Sequence, residues 1–556
     1  MPQPGDAPGP EPHGVHKDVT APEAPEGPAG PAEPEATAGP ESGRGARRWR
    51  RRLGVAAVGV CVVAAGAAPV AWQTLSASGD GPTSRSEALS GPAKTAPAAD
   101  FDHDGVQDVH VTGRYGGAVS VVYGSRERGA DGDAAKDTNK DKGGATVRRQ
   151  RLNLDSPGVP GREGRGVSFA DVTVARDIDG DGYTDLVASV TGRKRGDEPT
   201  HPGLIALWGS PEGLSDGTYL KGVPDDYRSA DEDDPLVAGD FTGDGHSDLV
   251  VRIGGEHGLL KGPFRRDGTS SGSAAVPAPF GDKDGSDNLV TAFAGDLNGD
   301  GSDDLVSSHA TEDDGLGGGR VETGYTAGGA EGFGRPDTER LPGIETATTG
   351  DVDKDGYPDV VLRRFPKGSA PDSAVSGPVE VVHGSADGPD PSRRSAIDQD
   401  SPGVPGEKES DSQFGTALEA GDVNGDGHAD VAVGTPAPVD AGGRKSTVTV
   451  LHGSRGDLTG RGARVVEEPS SAPDPSEEDG AMGNLFGDAV RLGDTDGDGR
   501  TDLAVGAPRT RGYEGALWIV PAHGKGWPPD AARSYGPRGF GDPKAEDDEE
   551  IGAEVR

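Results

Sequence analysis

One nine-residue motif recurs seven times along this chain of 556 residues and constrains its fold more than any other feature. Each copy begins and ends with aspartate, carries oxygen-bearing side chains at positions 3 and 5, and has glycine at position 6. The first aspartates are 55 to 77 residues apart, which is enough chain for four short strands. Self-similarity at this spacing predicts an array of like units that bury their apolar faces against one another.

The side chains at positions 1, 3, 5 and 9 of each motif can all offer oxygen to a cation. In loops 1 to 7 these positions are, in order, Asp100, Asp102, Asp104 and Asp108; Asp177, Asp179, Asp181 and Asp185; Asp240, Thr242, Asp244 and Asp248; Asp296, Asn298, Asp300 and Asp304; Asp351, Asp353, Asp355 and Asp359; Asp422, Asn424, Asp426 and Asp430; Asp494, Asp496, Asp498 and Asp502. Calcium takes about six to eight oxygen ligands, and glycine at position 6 permits the sharp turn around the ion. The repeats therefore predict up to seven structural Ca²⁺ sites.

Two alternatives to this interpretation are an ordinary Asp-Gly turn and an EF-hand. A single copy could be a turn, but seven copies with the same ligand positions favour a cation loop. An EF-hand needs a bidentate glutamate at position 12, where this chain has residues such as Val111 and Ser307. Thr242 replaces a carboxylate or amide in loop 3, so weaker binding is expected there.

Short apolar runs follow every loop and predict buried strands, for example at 186–188 and 503–505. A second strand follows in several repeats and ends in Gly-Ser, as in VSVVYGS at 119–125, LIALWGS at 204–210, VEVVHGS at 379–385 and VTVLHGS at 448–454. No segment after Trp72 has sustained helical periodicity. Residues 99–556 are therefore predicted to form an all-β domain.

The most complete repeats are FGTALEAGDVNGDGHADVAVGTP at 414–436 and FGDAVRLGDTDGDGRTDLAVGAP at 486–508. They resemble the FG-GAP repeats of the integrin-α type, which are related to the VCBS-repeat proteins of bacteria. Phe169 and Ala170 occupy the Phe-Gly place in the second repeat, whereas repeats three to five lack the pair. The resemblance implies a seven-bladed β-propeller with calcium loops at the blade edges, and seven repeats of this length favour the same fold. In integrins the propeller recognises ligands, a role that fold alone does not transfer.

The two ends of the predicted propeller complement each other. The first repeat has no strand before Asp100, while the chain ends in IGAEVR at 551–556, which aligns with FGDAVR at 486–491. We therefore expect the C-terminal segment to supply the strand that the first blade lacks, which closes the ring and removes an exposed edge.

The N-terminal part has a different composition from the repeats. Residues 1–52 are predicted to be a disordered, Pro- and Glu-rich cytoplasmic tail that ends in an arginine cluster. Residues 53–72 form an uncharged run of 20, long enough for a transmembrane helix, and the preceding arginines place the C-terminal part outside the cell. The alternative is a signal peptide that is cleaved to release a secreted protein. Residues 73–98 are a predicted flexible linker.

Charge and cysteine content narrow the possible partners and stabilising devices. The net charge of −40 disfavours nucleic acid as a partner of the repeats. Cys61 is the only cysteine, so an intrachain disulfide and a multi-cysteine zinc site are excluded. With only 31% hydrophobic residues, the domain needs another source of stability, and calcium is the natural candidate.

The sequence contains no nucleophile elbow, P-loop or dinucleotide fingerprint, and its 12 histidines show no repeated spacing. Two Arg-Gly-Asp tripeptides, at 195–197 and 455–457, are close to the number expected by chance. The leading hypothesis is a non-enzymatic binding or adhesion module for an extracellular protein or glycan. Its alternatives are a hydrolase-type enzyme with a site in a propeller loop or the channel, and an envelope scaffold without a ligand.

Overall fold

The computed structural model of this chain describes residues 99–556 except 114–115, 127–146, 165–166, 193–201, 224–235, 254–255, 278–287, 312–319, 366–376, 407–412, 438–444, 473–482, 525 and 541–549. The predicted tail (1–52), membrane segment (53–72) and linker (73–98) lie outside the described residues, as does the first Arg-Gly-Asp tripeptide. Within the described part of the chain, no helix has the length and apolar character needed to cross a membrane.

The described strands form seven antiparallel sheets, which we number as blades 1 to 7 in chain order. Blade 1 contains β1 (Val109–Gly113), β2 (Val119–Val122) and β3 (Arg149–Leu152). Blade 2 contains β4 (Val167–Arg176), β5 (Asp185–Gly192), β6 (Gly203–Trp208) and β7 (Ser215–Tyr219). Blade 3 contains β8 (Val237–Gly239), β9 (Asp248–Ile253), β10 (Glu256–Lys261) and β11 (Gly272–Ala275). Blade 4 contains β12 (Asn288–Gly295), β13 (Asp304–Thr311) and β14 (Arg320–Thr326).

The remaining blades follow the same order along the chain. Blade 5 contains β15 (Ile344–Gly350), β16 (Asp359–Arg364), β17 (Val379–Val382) and β18 (Arg394–Ile397). Blade 6 contains β19 (Leu418–Gly421), β20 (Asp430–Thr435), β21 (Thr447–His452) and β22 (Thr459–Glu467). Blade 7 contains β23 (Ala489–Gly493), β24 (Asp502–Ala507), β25 (Ala516–Val520) and β26 (Arg533–Tyr535). The last strand, β27 (Ile551–Val555), joins blade 1.

The seven-bladed, all-β architecture is confirmed, with two small departures from the expected pattern. Helix α1 (Thr510–Tyr513) makes one turn after β24, and two 3₁₀ turns lie at Pro529–Ala531 and Pro537–Phe540. Blade 4 has three described strands rather than four, and a single bridge joins Tyr325 of β14 to Asp337. The intervening chain contains several glycines and Pro336, which disfavour a continuous ladder because proline lacks an N–H and glycine adds no packing side chain.

Apolar residues alternate between the two faces of each blade, so the core is divided among the junctions between blades. Leu186 and Ala188 of β5 pack in the cluster with blade 1, whereas Val187 between them packs with blade 3. Each of the seven junctions has such a cluster of buried residues. Strands that are covered on both faces explain the nearly continuous apolar runs in the sequence.

The expected ring closure is present. Strand β27 pairs antiparallel with β1, with Val555 opposite Val111 and Glu554 opposite Thr112. The backbone amides of His110 and Arg556 also donate to each other's carbonyl oxygens at 3.0 Å. Ile551 and Val555 are buried at the junction between blades 7 and 1. Blade 1 is therefore assembled from both ends of the domain, and its inner edge is paired rather than exposed.

Candidate metal centre

Blade 1 has the strand order β27-β1-β2-β3, so β1 is its second strand. Counted in this way, every Asp-rich loop precedes the second strand of its blade, and in blades 2 to 7 the aspartate at position 9 is the first residue of that strand. The aspartate at position 1 accepts a hydrogen bond from the amide of the glycine at position 6, with N to O distances of 2.8 to 3.1 Å in the seven loops. These glycines have φ between +81° and +97°, which other residues adopt at a cost. The backbone thus curls around the side chains at positions 1, 3 and 5.

The aspartate at position 9 ties each loop to the sheet. Its side chain is 0 to 3% exposed in all seven loops. In loop 1, Asp108 accepts from the amide of Phe101 at 2.7 Å and from the amide of Gly124, beyond the third strand of the blade, at 2.8 Å. The same two contacts recur in the other loops, except that in loop 3 the first donor is the amide of Thr242. Loop geometry is therefore coupled to pairing of the second and third strands.

Burial opposes the charge on several of these carboxylates. Desolvation raises the pKa of Asp108 to about 8, of Asp185 and Asp304 to about 7, and of Asp248 to about 6. Their hydrogen bonds from backbone amides lower the pKa but do not offset the burial. A bound cation would favour the ionised form, so these sites are electrostatically suited to one.

Three ligating groups converge in each of four loops. The carboxylates of Asp100, Asp102 and Asp108, those of Asp177, Asp179 and Asp185, those of Asp351, Asp353 and Asp355, and those of Asp494, Asp496 and Asp502 place oxygens within 4.8 Å of one another. The Oδ1 atoms of Asp102 and Asp353 are shielded from solvent and have no hydrogen-bond partner. A buried oxygen without a partner is costly unless a ligand completes it. An all-oxygen donor set with such free oxygens fits Ca²⁺.

The other three loops differ at position 3. The Oδ1 atoms of Asn298 and Asn424 accept from the amides of Asp300 and Asp426 at 2.8 and 3.0 Å, so each amide oxygen lies within its loop. The amide nitrogen of Asn424 donates to Asp430 at 3.1 Å. Thr242 in loop 3 is 6% exposed and contributes only a hydroxyl at this position. The three variants keep the loop backbone while changing the side chain at position 3.

Arginines from outside the nine-residue motif, which its pattern does not predict, reach into several loops. Arg266 contacts Asp179 at 2.9 Å and Asp181 at 2.6 Å, and Arg393 contacts Asp353 at 2.9 Å and Asp355 at 3.1 Å. Arg148 reaches Asp102 at 2.5 Å and lies over the ring of Tyr123. These cations occupy oxygens at positions 3 and 5, so the loops differ in how many oxygens remain for an ion.

Two histidines occupy equivalent places, which corrects the expectation that histidines follow no repeated spacing. His383 and His452 each precede the glycine that contacts the aspartate at position 9, and each places Nδ1 3.1 Å from that aspartate, Asp359 or Asp430. Hydrogen bonds to Asp359 and Asp457 raise the pKa of His383 to about 10. Aligning the repeats on the Gly-Ser ends of VEVVHGS and VTVLHGS would have placed both histidines in one column.

The second Arg-Gly-Asp tripeptide is not a free adhesive loop. The side chain of Asp457 is 20% exposed, and its Oδ2 lies 3.3 Å from Nε2 of His383. Its Oδ1 accepts from the amide of Leu458 at 2.7 Å. The carboxylate thus contacts other groups of the protein. This agrees with the expectation that the tripeptide occurs by chance.

The Phe-Gly pair makes a close contact between blades. Phe414 and Phe486 are buried, and Gly415 and Gly487 have φ of +87° and +90°. The carbonyl oxygen of Gly487 would lie 2.0 Å from a Cβ on Gly434 of the preceding blade. The C-terminal strand repeats this contact, since the carbonyl oxygen of Gly552 would lie 1.9 Å from a Cβ on Gly506. Glycine is required at these places because two backbones touch.

The seven blades form a β-propeller built from repeats. Each repeat has an Asp-rich loop, and Phe-Gly contacts join some neighbouring blades. Residues 414–451 and 486–520 match the FG-GAP repeat. The chain therefore carries FG-GAP repeats, as the resemblance implied.

Similarity to integrin alpha chains extends over part of the sequence. Integrin alpha-4 of Xenopus laevis is 35% identical over 144 residues, which make up 24% of this chain and 13% of that protein. Integrin alpha-PS3 of Drosophila melanogaster is 39% identical over 98 residues, or 17% of this chain and 8% of that protein. The chain thus spans only a small fraction of the length of these relatives.

Among solved structures, a protein from Agrocybe aegerita described as recognising non-reducing terminal N-acetylglucosamine is 18% identical in sequence. The alignment covers 67% of this chain and 80% of that one, with a TM-score of 0.38.

Proposed function

We propose that this chain is a calcium-stabilised β-propeller displayed at a cell surface, where it serves as a non-enzymatic binding or adhesion module. The observation that carries the proposal is the shared construction of the seven loops, in which backbone amides hold the carboxylates at positions 1, 5 and 9 in place. The FG-GAP repeats in blades 6 and 7 and the partial similarity to integrin alpha chains support a role in recognition.

Calcium would act structurally in this proposal. The aspartate at position 9 contacts the loop backbone and the amide beyond the third strand, so an ion held by it would stabilise the loop and the sheet together. The cores are thin and divided among seven junctions. An ion that binds the native loops and not the unfolded chain stabilises the fold by mass action, by about 4 kcal/mol at a thousandfold excess over Kd.

Display outside the cell is supported by the N-terminal sequence. The uncharged run at 53–72 follows a cluster of arginines, which favours an N-terminus in the cytoplasm and a propeller outside. Extracellular millimolar calcium would suit loops of moderate affinity. The ligand, an extracellular protein or glycan, would contact the loops that connect strands and blades, because these differ from blade to blade while the strands are fixed by packing.

Calorimetry of the full chain in detergent during chelator titration tests the calcium proposal. The melting temperature should fall as calcium is removed and should recover when excess Ca²⁺ is restored. Asp177→Ala should reduce the number of bound calcium ions by one, whereas Asp390→Asn, a change at a residue outside the loops, should leave it unchanged. A melting curve that is the same before and after removal of calcium would show that the loops are ordinary turns.

A binding experiment tests the recognition part of the proposal. The immobilised full chain in Ca²⁺ is presented with arrays of envelope glycans and with secreted proteins, and the same arrays are repeated after chelation. Calcium-dependent retention of a defined ligand supports the proposal. Turnover of a retained glycan or peptide, measured as released product, would instead favour the hydrolase hypothesis.

A further inference from the structure

His383 lies in a polar cluster that no other of the seven loops contains. Its Nδ1 atom is 3.1 Å from Oδ1 of Asp359 and 3.5 Å from Oδ2 of Asp353, and the side chains of the three residues place ligand atoms within 4.8 Å of one another. His383 is 6% exposed and Asp359 is fully buried. One imidazole nitrogen and two carboxylates therefore converge in a site that is largely closed to solvent.

The separations of these donors match the edges of a small coordination polyhedron. Ligands about 2.1 Å from a metal ion are about 3.0 Å apart at right angles and about 3.4 Å apart at the tetrahedral angle. The distance of 3.5 Å to Asp353 is too long for a hydrogen bond but fits such an edge. An ion between the three groups would take the place of the proton between Nδ1 and Asp359.

Arg393 reduces what loop 5 can offer to calcium. Its guanidinium contacts Oδ2 of both Asp353 and Asp355, at 2.9 and 3.1 Å. Oδ1 of Asp353, by contrast, is shielded from solvent and has no hydrogen-bond partner, so the Asp353 carboxylate keeps one free oxygen beside the Oδ2 atom that lies 3.5 Å from Nδ1 of His383. Calcium needs about six to eight oxygens, whereas Zn²⁺ is satisfied by about four ligands that include imidazole nitrogen.

Asp457 of blade 6 orients the imidazole from its other side. Its Oδ2 atom is 3.3 Å from Nε2 of His383. In metal sites a ligating histidine commonly donates its second ring N–H to a carboxylate, which fixes the tautomer and raises the basicity of the ligand nitrogen. This arrangement leaves Nδ1, the nitrogen that faces Asp353 and Asp359, as the ligand atom.

Two other loops separate the contributions of the arginine and the histidine. In loop 2, Arg266 contacts the aspartates at positions 3 and 5, as Arg393 does in loop 5. The position equivalent to His383, however, is occupied by Trp208. Loop 6 has His452 at the equivalent place, but its position 3 is Asn424, whose amide nitrogen faces Asp430. Loop 5 alone among the seven combines the histidine, an aspartate at position 3 and a carboxylate on the second ring nitrogen.

We propose that loop 5 is a site for Zn²⁺ or a similar nitrogen-preferring transition ion, ligated by Asp353, Asp359 and His383 and oriented by Asp457. Imidazole ligation favours such ions over calcium. The site depends only on these residues, so it can be tested separately from the calcium sites of the other loops.

The test uses the full chain without a polyhistidine tag, stripped of metal and then equilibrated with millimolar Ca²⁺. Zn²⁺ is titrated by calorimetry, and Co²⁺ is added in a parallel sample as a probe whose visible spectrum reports nitrogen ligation. We expect one Zn²⁺ site that excess calcium does not block. His383→Gln should lower its affinity by more than ~10-fold, and Asp457→Asn by about 10-fold to 100-fold. His452→Gln is the matched control and should leave the site unchanged.

Near-UV circular dichroism shows whether each variant keeps its fold, and Asp457→Asn serves as the second variant if His383→Gln does not fold. Absence of a Zn²⁺ site in excess calcium overturns the proposal. Equal loss of binding in the His383 and His452 variants also overturns it, because loop 5 would then not be the site. If calcium fails to bind the chain while the Zn²⁺ site persists, the proposed function fails and this inference stands.

Discussion

The junction between blades 6 and 7 and the junction between blades 3 and 4 are built differently. The first buries a cluster of fifteen residues that includes Trp518 and Trp527, whereas the second buries six. At the first, the backbones of Gly434 and Gly487 touch. At the second, Asp303 and Asp240 exchange polar contacts at 2.8 Å, and loop 3 carries Thr242 in place of a carboxylate or amide.

The FG-GAP match falls on blades 6 and 7, although all seven blades have the Asp-rich loop. The difference lies in the Phe-Gly pair and the glycine it contacts. In blade 4, Ser308 of β13 occupies the place of that glycine. Its hydroxyl oxygen accepts a hydrogen bond from the amide of Ile344 in blade 5 at 3.1 Å, so the serine side chain takes part in the contact between the blades. The FG-GAP repeat is thus characterised by this contact between blades as well as by the Asp-rich loop.

Deletion of residues 550–556 should have the largest effect, because it leaves one edge of β1 unpaired and removes Ile551, Gly552 and Val555 from the junction of blades 7 and 1. We expect the melting temperature to fall by on the order of 10 °C or more. Calorimetry of the full chain measures this, and deletion of residues 1–52 is the control, which should leave the transition unchanged. An equal transition in both truncations would show that ring closure contributes little.

Metal-free protein should lose stability as pH rises. The folded-state pKa values of Asp108, Asp185, Asp248 and Asp304 are about 8, 7, 6 and 7, above the unfolded value of 3.8. Their protonated forms are favoured by folding, so this stability is present below pH 3.8 and is lost as pH rises through about 6 to 8.

Because a tenfold difference in proton affinity between the folded and unfolded chain corresponds to about 1.4 kcal/mol, the metal-free chain should be several kcal/mol less stable at pH 8 than at pH 5. Urea unfolding of the metal-stripped chain at the two pH values measures this difference. Added Ca²⁺ should restore stability at pH 8. Greater stability of the stripped chain at the higher pH would contradict the burial argument.

Gly434→Ala should disrupt the contact between blades 6 and 7. The new Cβ would lie 2.0 Å from the carbonyl oxygen of Gly487, and neither backbone can move freely. We expect a loss of about 1 to 3 kcal/mol in the free energy of unfolding. Gly272→Ala in blade 3 is the matched control, because its Cβ would be 4.0 Å from the nearest side-chain atom. Comparable losses in the two variants would mean that close backbone contact is not the reason for the glycine.

Ala170→Gly should give the smallest effect and should be stabilising. Ala170 stands at the Phe-Gly place in blade 2 with φ of +63°, a conformation that is unfavourable for alanine. Relief of this strain exceeds the entropy that glycine loses on folding, so a gain of about 0.5 to 1 kcal/mol is expected. Chemical denaturation measures it, and Gly487→Ala should change stability in the opposite direction. A destabilised Ala170 variant would show that the blade 2 junction differs from those of blades 6 and 7.

Local sequence was sufficient for much of the fold because the determining contacts repeat. The Asp-rich loops and the apolar runs after them marked the start of each second strand, and IGAEVR at 551–556 resembled FGDAVR closely enough to predict ring closure. In loops 1, 2, 5 and 7, three of the four expected donors place oxygens within 4.8 Å of one another, a proximity that their spacing in one short loop had predicted.

The contacts of Arg393, His383 and Asp457 could not be predicted from spacing along the sequence. Arg393 is separated from Asp353 by 40 residues, and Asp457 belongs to a different blade from His383. Such side chains meet only when neighbouring strands and blades are packed, and no local periodicity records that geometry. The reduced blade 4 also depends on how its Gly- and Pro-containing segment competes with a fourth strand, which pattern alone does not decide.

The pairing of β27 with β1 also sets the order in which the domain can be completed. During synthesis blade 1 is the first of the seven blades to emerge, yet its inner strand, β27, is made after blade 7. Until then β1 retains an open edge that can pair with other chains. Blades 2 to 7 can therefore form progressively, while the closed ring becomes available only once residues 551–555 have been made and have docked on β1.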